Sequence, residues 1–425
     1  MLRLVLLFVC LLAFENYNHA CAHFLFVHMV RGKTPRAELH FAESAWDFSA
    51  NGRMVGIMVA ADVRGPGNEQ MTCTQESFGL VAPVSENQTA ACADFTYGLM
   101  SRGETFLLEY HAKGIVGLES ANTPMGLKAE VVAAPTDSDR LVLTVLFDGT
   151  PAPGAEVVAS VKGLSADTFT ADKNGQVEIP MPTTPVFSIR AMVSEKREGT
   201  YENRPYGEAR HYTTLTVHTQ DAPSNSDGLA WAVLHDARDR CAEFTAKGTQ
   251  WSGKFKGKFG DESSKGSFVS TNGDVQISET DPDSTATQNP LDLLNLLPNP
   301  YSFSEAIVFN TDRSARGGSV ITIPDRGLEF EIQDRRIQSI HQNHDGVHRR
   351  VDVLEWSTTE DERILPERTV VTTFENDGSI EHVTILKHVH TEENGVYVPQ
   401  CSGVQTTGAD TTIPVSVTVS DAVVD

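Results

Sequence analysis

The chain has 425 residues, 40% of them hydrophobic and 21% charged, with a formal net charge of −23. That length suits two or three domains of ~150 residues each. So acidic a chain repels phosphate backbones and anionic lipid, which excludes nucleic-acid binding.

The N-terminus has the layout of a secretory signal. Arg3 supplies the positive start, Leu4 to Phe14 the apolar stretch, and Glu15 to Ala22 a polar region ending in small residues. The apolar stretch is far short of the ~20 residues that span a bilayer. No later run is long enough either, so no membrane span is expected. Ala20 and Ala22 form an A-x-A pattern that predicts cleavage after Ala22. A lipidated Cys21 is the rival, but Asn18-His19-Ala20 lacks the apolar residue expected three positions before it. Ordinary cleavage makes residues 1–22 the signal and His23 the first mature residue. A terminal histidine carries an imidazole and an α-amine of pKa ~8, and the two can grip one metal ion together.

Cys73, Cys92, Cys241 and Cys401 would remain after cleavage. An even number in an exported chain predicts disulfides, Cys73–Cys92 locally and Cys241–Cys401 across the C-terminal part. No C-x-x-C spacing points to a cysteine zinc site.

Residues 23–128 read as a first β domain. His23 to Met29, Ala37 to Glu43, Met54 to Val63 and Phe106 to His111 are strand candidates, separated by turn clusters such as Arg64-Gly65-Pro66-Gly67-Asn68. Strand alternation puts His23 and His28 on opposite faces, so they do not chelate one ion. Residues 129–218 read as an immunoglobulin- or transthyretin-like β-sandwich, with strands at Arg140 to Phe147, Ala155 to Val161, Gln176 to Ile179, Phe187 to Val193 and His211 to Val217.

An N-terminal His-Phe strand precedes LVLTVLFDGTPAPGAEVVASVKG, TADKNGQVEIPMP and ARHYTTLTV. This order resembles a family of bacterial exported β-sandwich domains of unknown function, often identified as a periplasmic nickel-transport component. The likeness covers residues 23–218. The central sandwich is also similar to regulatory-like modules found beside carboxypeptidases. The resemblance implies that His23 takes nickel or copper and that a membrane transporter is a partner. His40, His111 and His211 join it as metal-ligand candidates from their placement on strands.

Residues 219–227 are a polar linker. Beyond it, 228–425 reads as an α+β domain: one helix from Gly228 to Phe244, capped by Ser226 or Asp227, then a long curved antiparallel sheet. A short apolar helix is predicted at Leu291 to Leu297. This half resembles a second exported family of unknown function and, in architecture, curved half-barrels that carry lipid or lipoprotein across the periplasm. It holds His341, His344, His348, His382, His388 and His390. A hairpin at Asn343-His344-Asp345-Gly346 would bring His341 towards His348. The arginines at 335, 336, 349 and 350 argue for solvated strand faces instead of a cation site.

No H-E-x-x-H, G-x-S-x-G, G-x-G-x-x-G or P-loop lysine motif is present, and no enzyme activity is expected. A copper oxygenase would use the same amine-plus-imidazole grip, but nothing else along the chain supports one. The expected function is metal capture or delivery in the periplasm or cell envelope. The alternative is a non-catalytic module that binds protein, glycan or lipid.

Overall fold

The computed structural model describes residues 23–46, 52–159, 166–241, 251–271, 274–280, 305–310, 318–344, 346–360, 363–393, 396–407 and 411–424. The signal segment, the helix expected at 291–297 and the far end of the 228–244 helix lie outside them. The chain is mainly β, in several largely antiparallel sheets with no barrel.

The strands in chain order are β1 (Phe24–Val30), β2 (Arg36–Ala42), β3 (Asp62–Arg64), β4 (Thr74–Gln75), β5 (Leu80–Pro83), β6 (Ala90–Arg102) and β7 (Glu104–Val116). Next come β8 (Ala129–Pro135), β9 (Arg140–Phe147), β10 (Thr150–Pro151), β11 (Glu156–Ala159), β12 (Asp167–Thr170), β13 (Gln176–Pro180), β14 (Val186–Tyr201) and β15 (Arg204–His218). The C-terminal strands are β16 (Trp251–Phe259), β17 (Glu262–Thr271), β18 (Asp274–Thr280), β19 (Val308–Phe309), β20 (Ser319–Ile323), β21 (Leu328–Gln333) and β22 (Arg336–His344). They finish with β23 (Val347–Thr358), β24 (Ile364–Phe374), β25 (Ile380–Glu393), β26 (Val396–Thr407) and β27 (Thr411–Val424). Two α-helices, α1 (Gly52–Met58) and α2 (Gly228–Asp239), and short 3-10 turns at Pro66–Asn68, Leu118–Ser120 and Pro324–Arg326 complete the described elements.

The strand expected from Met54 to Val63 is instead α1 followed by β3. Val55 and Met58 are the reason: three residues apart, they share one helix face, and both are fully buried.

A seven-stranded sheet in the order β12-β11-β14-β15-β7-β6-β3 forms the middle of the N-terminal half. Strands from either side of position 128 share it, because β15 pairs with β7 in parallel from Glu208↔Phe106 to His218↔Val116. One face packs on the β8–β9–β10–β13 sheet through Ile115, Val131, Leu143, Ile189 and Leu215. The other face receives the small β1-β2-β5-β4 sheet.

β1 meets that face with its unpaired edge. The carbonyl of Leu25 accepts from Thr214 Oγ1 at 2.7 Å, and that of His23 from the Tyr110 hydroxyl at 2.9 Å. A β-carbon on Gly114 would collide with the Val27 carbonyl. Edge carbonyls are thus satisfied by side chains, and every residue of β1 is buried.

The C-terminal domain is one twelve-stranded sheet, β18-β17-β16-β27-β26-β25-β24-β23-β22-β21-β20-β19. Laid flat, twelve strands ~4.8 Å apart would extend roughly 50 Å. Yet Phe255 and Phe268 near one edge and Ile321 near the other share a single core with α2, so the sheet curls around the helix. This explains why α2 is buried on all sides from Gly228 to Arg238. Asp227 caps it, accepting from the amides of Leu229 and Ala230. The same carboxylate binds Arg36 at 2.7 Å and so ties the helix to the N-terminal half.

Gly228 lets the helix start approach residue 31, since a β-carbon there would strike the Arg31 backbone. Gly228→Ala is expected to cost about 1–3 kcal/mol, read as a lower denaturant midpoint at unchanged slope.

None of the four cysteines forms a disulfide, so the expected pairings are absent. Cys241 forms a β-bridge with Ile364 on β24, whereas Cys401 lies on β26. Burial pushes the thiols of Cys92 and Cys401 up to about 12.

Candidate functional site

A cleft of about 740 Å³ opens beside β3, β6 and β7, walled by the turns at Gly126–Lys128 and Asp148–Gly149. Strand register assembles its chemistry. Asp94 on β6 is directly opposite His111 on β7. Glu109, two residues before His111 and on the same face, is opposite His211 on β15.

The side chains form a line. Asp94 Oδ1 is 2.5 Å from His111 Nδ1, and His111 Nε2 is 3.2 Å from His211 Nδ1. His211 Nε2 is 3.1 Å from Glu195 Oε2, while Glu109 Oε2 is 3.2 Å from His211 Nδ1. Each carboxylate also has a cation: Arg64 binds Asp94, Arg197 binds Glu109 at 2.9 Å, and Lys128 binds Glu195 at 3.0 Å. The His211 ring meets Phe147 edge-on and is fully buried.

Counting protons shows what this line can do. Its three contacts run between two carboxylates and need three protons on four ring nitrogens. Two neutral imidazoles bring two. Burial draws the His211 pKa down, although the hydrogen bond with Glu195 opposes it. The line is thus one proton short whenever both rings are neutral, and either a proton or a metal cation between the rings supplies what is missing. Burial pushes the Glu195 carboxyl up, but the hydrogen bonds from Lys128 and His211 outweigh that and hold it below its ordinary value.

The seven-stranded sheet divides the four predicted ligands. His111 and His211 point to the sandwich side. His23 and His40 lie on the β1 side: His23 stacks on Phe41, and His40 bonds Glu38 at 2.9 Å. The expected shared set of His23 with the other three does not form, because alternate residues of β7 and β15 face opposite ways. Among the described residues no group of three or more His, Cys, Asp or Glu side chains is arranged to hold a metal ion.

His40 belongs to a second, fully buried cluster. Its ring meets His28 edge-on, and His28 Nδ1 is 3.2 Å from His218 Nε2. Burial lowers the His218 pKa to about 4 and that of His28 well below its ordinary value. Between pH 6.5 and about 4 the unfolded chain binds more protons at His218 than the folded one, so stability falls on acidification. His218 alone accounts for about 3 kcal/mol across that window. Urea midpoints at the two ends of the window should differ less in a His218→Gln variant than in the parent.

In the C-terminal sheet His341 Nε2 is 3.1 Å from His348 Nε2, the approach across the hairpin that the sequence suggested. His388 bonds Thr369 at 2.8 Å and stacks at 6.3 Å on His390. The side chain of His344 lies outside the described residues.

Sequence reasoning missed Asp94, Glu109, Glu195 and the buried pair His28 and His218. Glu109 had a readable signal, two residues from His111. Glu195 sits in the run Glu195-Lys196-Arg197-Glu198, which carries no mark of the strand beside it. No helix among the described residues is long and apolar enough to cross a membrane.

No protein family matches the sequence, and no curated protein matches it. Among solved structures, a LolA superfamily protein from Nitrosomonas europaea overlaps 45% of this chain and 92% of its own, at 8% identity and TM-score 0.22. A Ca2+-stabilized adhesin with which an Antarctic bacterium binds ice overlaps 93% of this chain and 97% of its own, at 12% identity and TM-score 0.14. Overlaps this weak set no constraint on fold or function.

Proposed function

We propose that this chain is an exported envelope protein that captures a divalent transition-metal ion, nickel or copper, at His111 and His211. The observation that carries the reading is the 3.2 Å approach of His111 Nε2 to His211 Nδ1, with Glu109 Oε2 at 3.2 Å from the same nitrogen. Donors bonded at ~2.0–2.1 Å around a tetrahedral ion are separated by roughly 3.3 Å. Asp94 behind His111 and Glu195 behind His211 are the kind of carboxylate partners that orient metal-binding imidazoles. The two imidazoles would be the ion's protein donors, with the remaining positions open to water or to transfer to a transporter. Imidazole suits nickel and copper.

Titration calorimetry of metal-free protein with nickel and copper tests this. His211→Ala is expected to weaken binding by about tenfold or more, while His341→Ala leaves it unchanged. An extra residue placed before His23 should also leave it unchanged. Equal affinity in the parent and His211→Ala would dismiss the site. Loss of binding only when the N-terminus is blocked would return the function to His23.

A further inference from the structure

Residues 219–227, which join the two halves of the chain, are gripped at both ends by the β1–β2 hairpin. At one end His218, the last residue of β15, has Nε2 3.2 Å from His28 Nδ1 on β1. At the other, the Lys33 amide donates to the Ser226 carbonyl at 2.8 Å, and Arg36 binds Asp227, the cap of α2. The hairpin belongs to a different sheet from β15, so no backbone ladder fastens it there. Side-chain packing and a few side-chain bonds are its hold on the seven-stranded sheet.

The charged and titratable surroundings of the His28–His218 pair are few. From β2 come His40, whose ring meets His28 edge-on, and Glu38, which is bonded to both Arg36 and His40. Arg31 beyond β1 binds the Gln88 carbonyl, and Arg190 of β14 stacks on Phe24, four residues along β1 from His28. What β6, β7 and β15 otherwise turn to β1 is uncharged, such as Phe95, Tyr110, Ala112 and Thr214. A proton added to the pair therefore meets one carboxylate, and that one is already matched by Arg36.

We propose that this hairpin is an acid-released clasp on the junction: protonation of His28 and His218 frees β1 and β2 as a unit, and with them both ends of residues 219–227. In the closed form burial holds His28 well below its ordinary pKa and His218 at about 4. Once the hairpin leaves the sheet the imidazoles return towards 6.5, so the open form binds more protons and acid favours it. His218 alone then raises the open-to-closed ratio about twentyfold between pH 7 and 5. The clasp does not depend on the metal reading.

Hydrogen exchange of the full chain at pH 7 and 5, corrected for the intrinsic effect of pH on amide exchange, tests this. Amides of Phe24–Ala42 and the capped amides of Leu229 and Ala230 are expected to lose protection together, by about twentyfold or more, while those of Val131–Val145 keep theirs. His218→Gln should remove about twentyfold of the loss. An equal loss at Val131–Val145 would mean global unfolding and overturn the clasp. So would unchanged protection at Phe24–Ala42, or unchanged protection at Leu229 and Ala230. A His218→Gln variant with the parent's pH dependence would overturn it as well. If that variant does not fold, His28→Gln takes its place, and the comparison of segments in the parent decides without either.

Discussion

Glu130→Ala is expected to lower the unfolding free energy by about 3–5 kcal/mol, a large part of the 5–15 kcal/mol typical of a domain. Glu130 and Lys113 are each about 1% exposed and meet at 2.7 Å. The Glu130 carboxylate also accepts from the amides of Met125, Gly126 and Leu127 at 2.8 to 3.3 Å. Removing it strips three backbone donors of their acceptor and leaves the Lys113 ammonium buried without a counter-charge. Burial already draws the Lys113 pKa down, and Glu130 opposes that. Lys113→Met should cost less, because Glu130 keeps its three amides. Urea unfolding of both variants checks the order, and an equal or smaller loss in Glu130→Ala would contradict it. The turn that Glu130 holds also walls the proposed metal cleft, so weaker nickel binding is expected alongside.

Arg238→Met is expected to act in the opposite direction, raising stability by about 2 kcal/mol. Arg238 is 1% exposed, and among the described residues its three guanidinium nitrogens have no hydrogen-bond partner. Arginine does not discharge itself by losing a proton, so the folded state bears the desolvation of a full charge. Methionine keeps much of the length and flexibility and removes the charge. Asp236, two residues earlier, shows the contrast: it is equally buried but is bonded by Arg335 and Arg240. Thermal and urea unfolding measure the gain. A melting temperature at or below the parent's would mean that Arg238 has a counter-charge in solution.

These two positions show where sequence reading stops. Lys113 and Glu130 sit in ordinary strand-like text, and nothing local marks them as a buried pair. The pairing of β7 with β15 is parallel and joins positions about a hundred apart, with no turn between them to fix the register. That one pairing places His111 beside His211, and strand order then places His23 and His40 behind the sheet. The hairpin that joins His341 to His348 was readable because its turn is local.

By itself the sequence determined the β-rich class, the helix beginning at Gly228 with a cap at Ser226 or Asp227, and the strands at Arg140–Phe147, Gln176–Ile179 and His211–Val217. Alternation of apolar residues, turn residues and caps act over a few positions and leave a local trace. Only the tertiary structure decided which histidines meet, which charges are buried in pairs and which is buried alone. Those outcomes depend on contacts between distant strands, and their energies come from exclusion of water, which no short stretch of chain encodes.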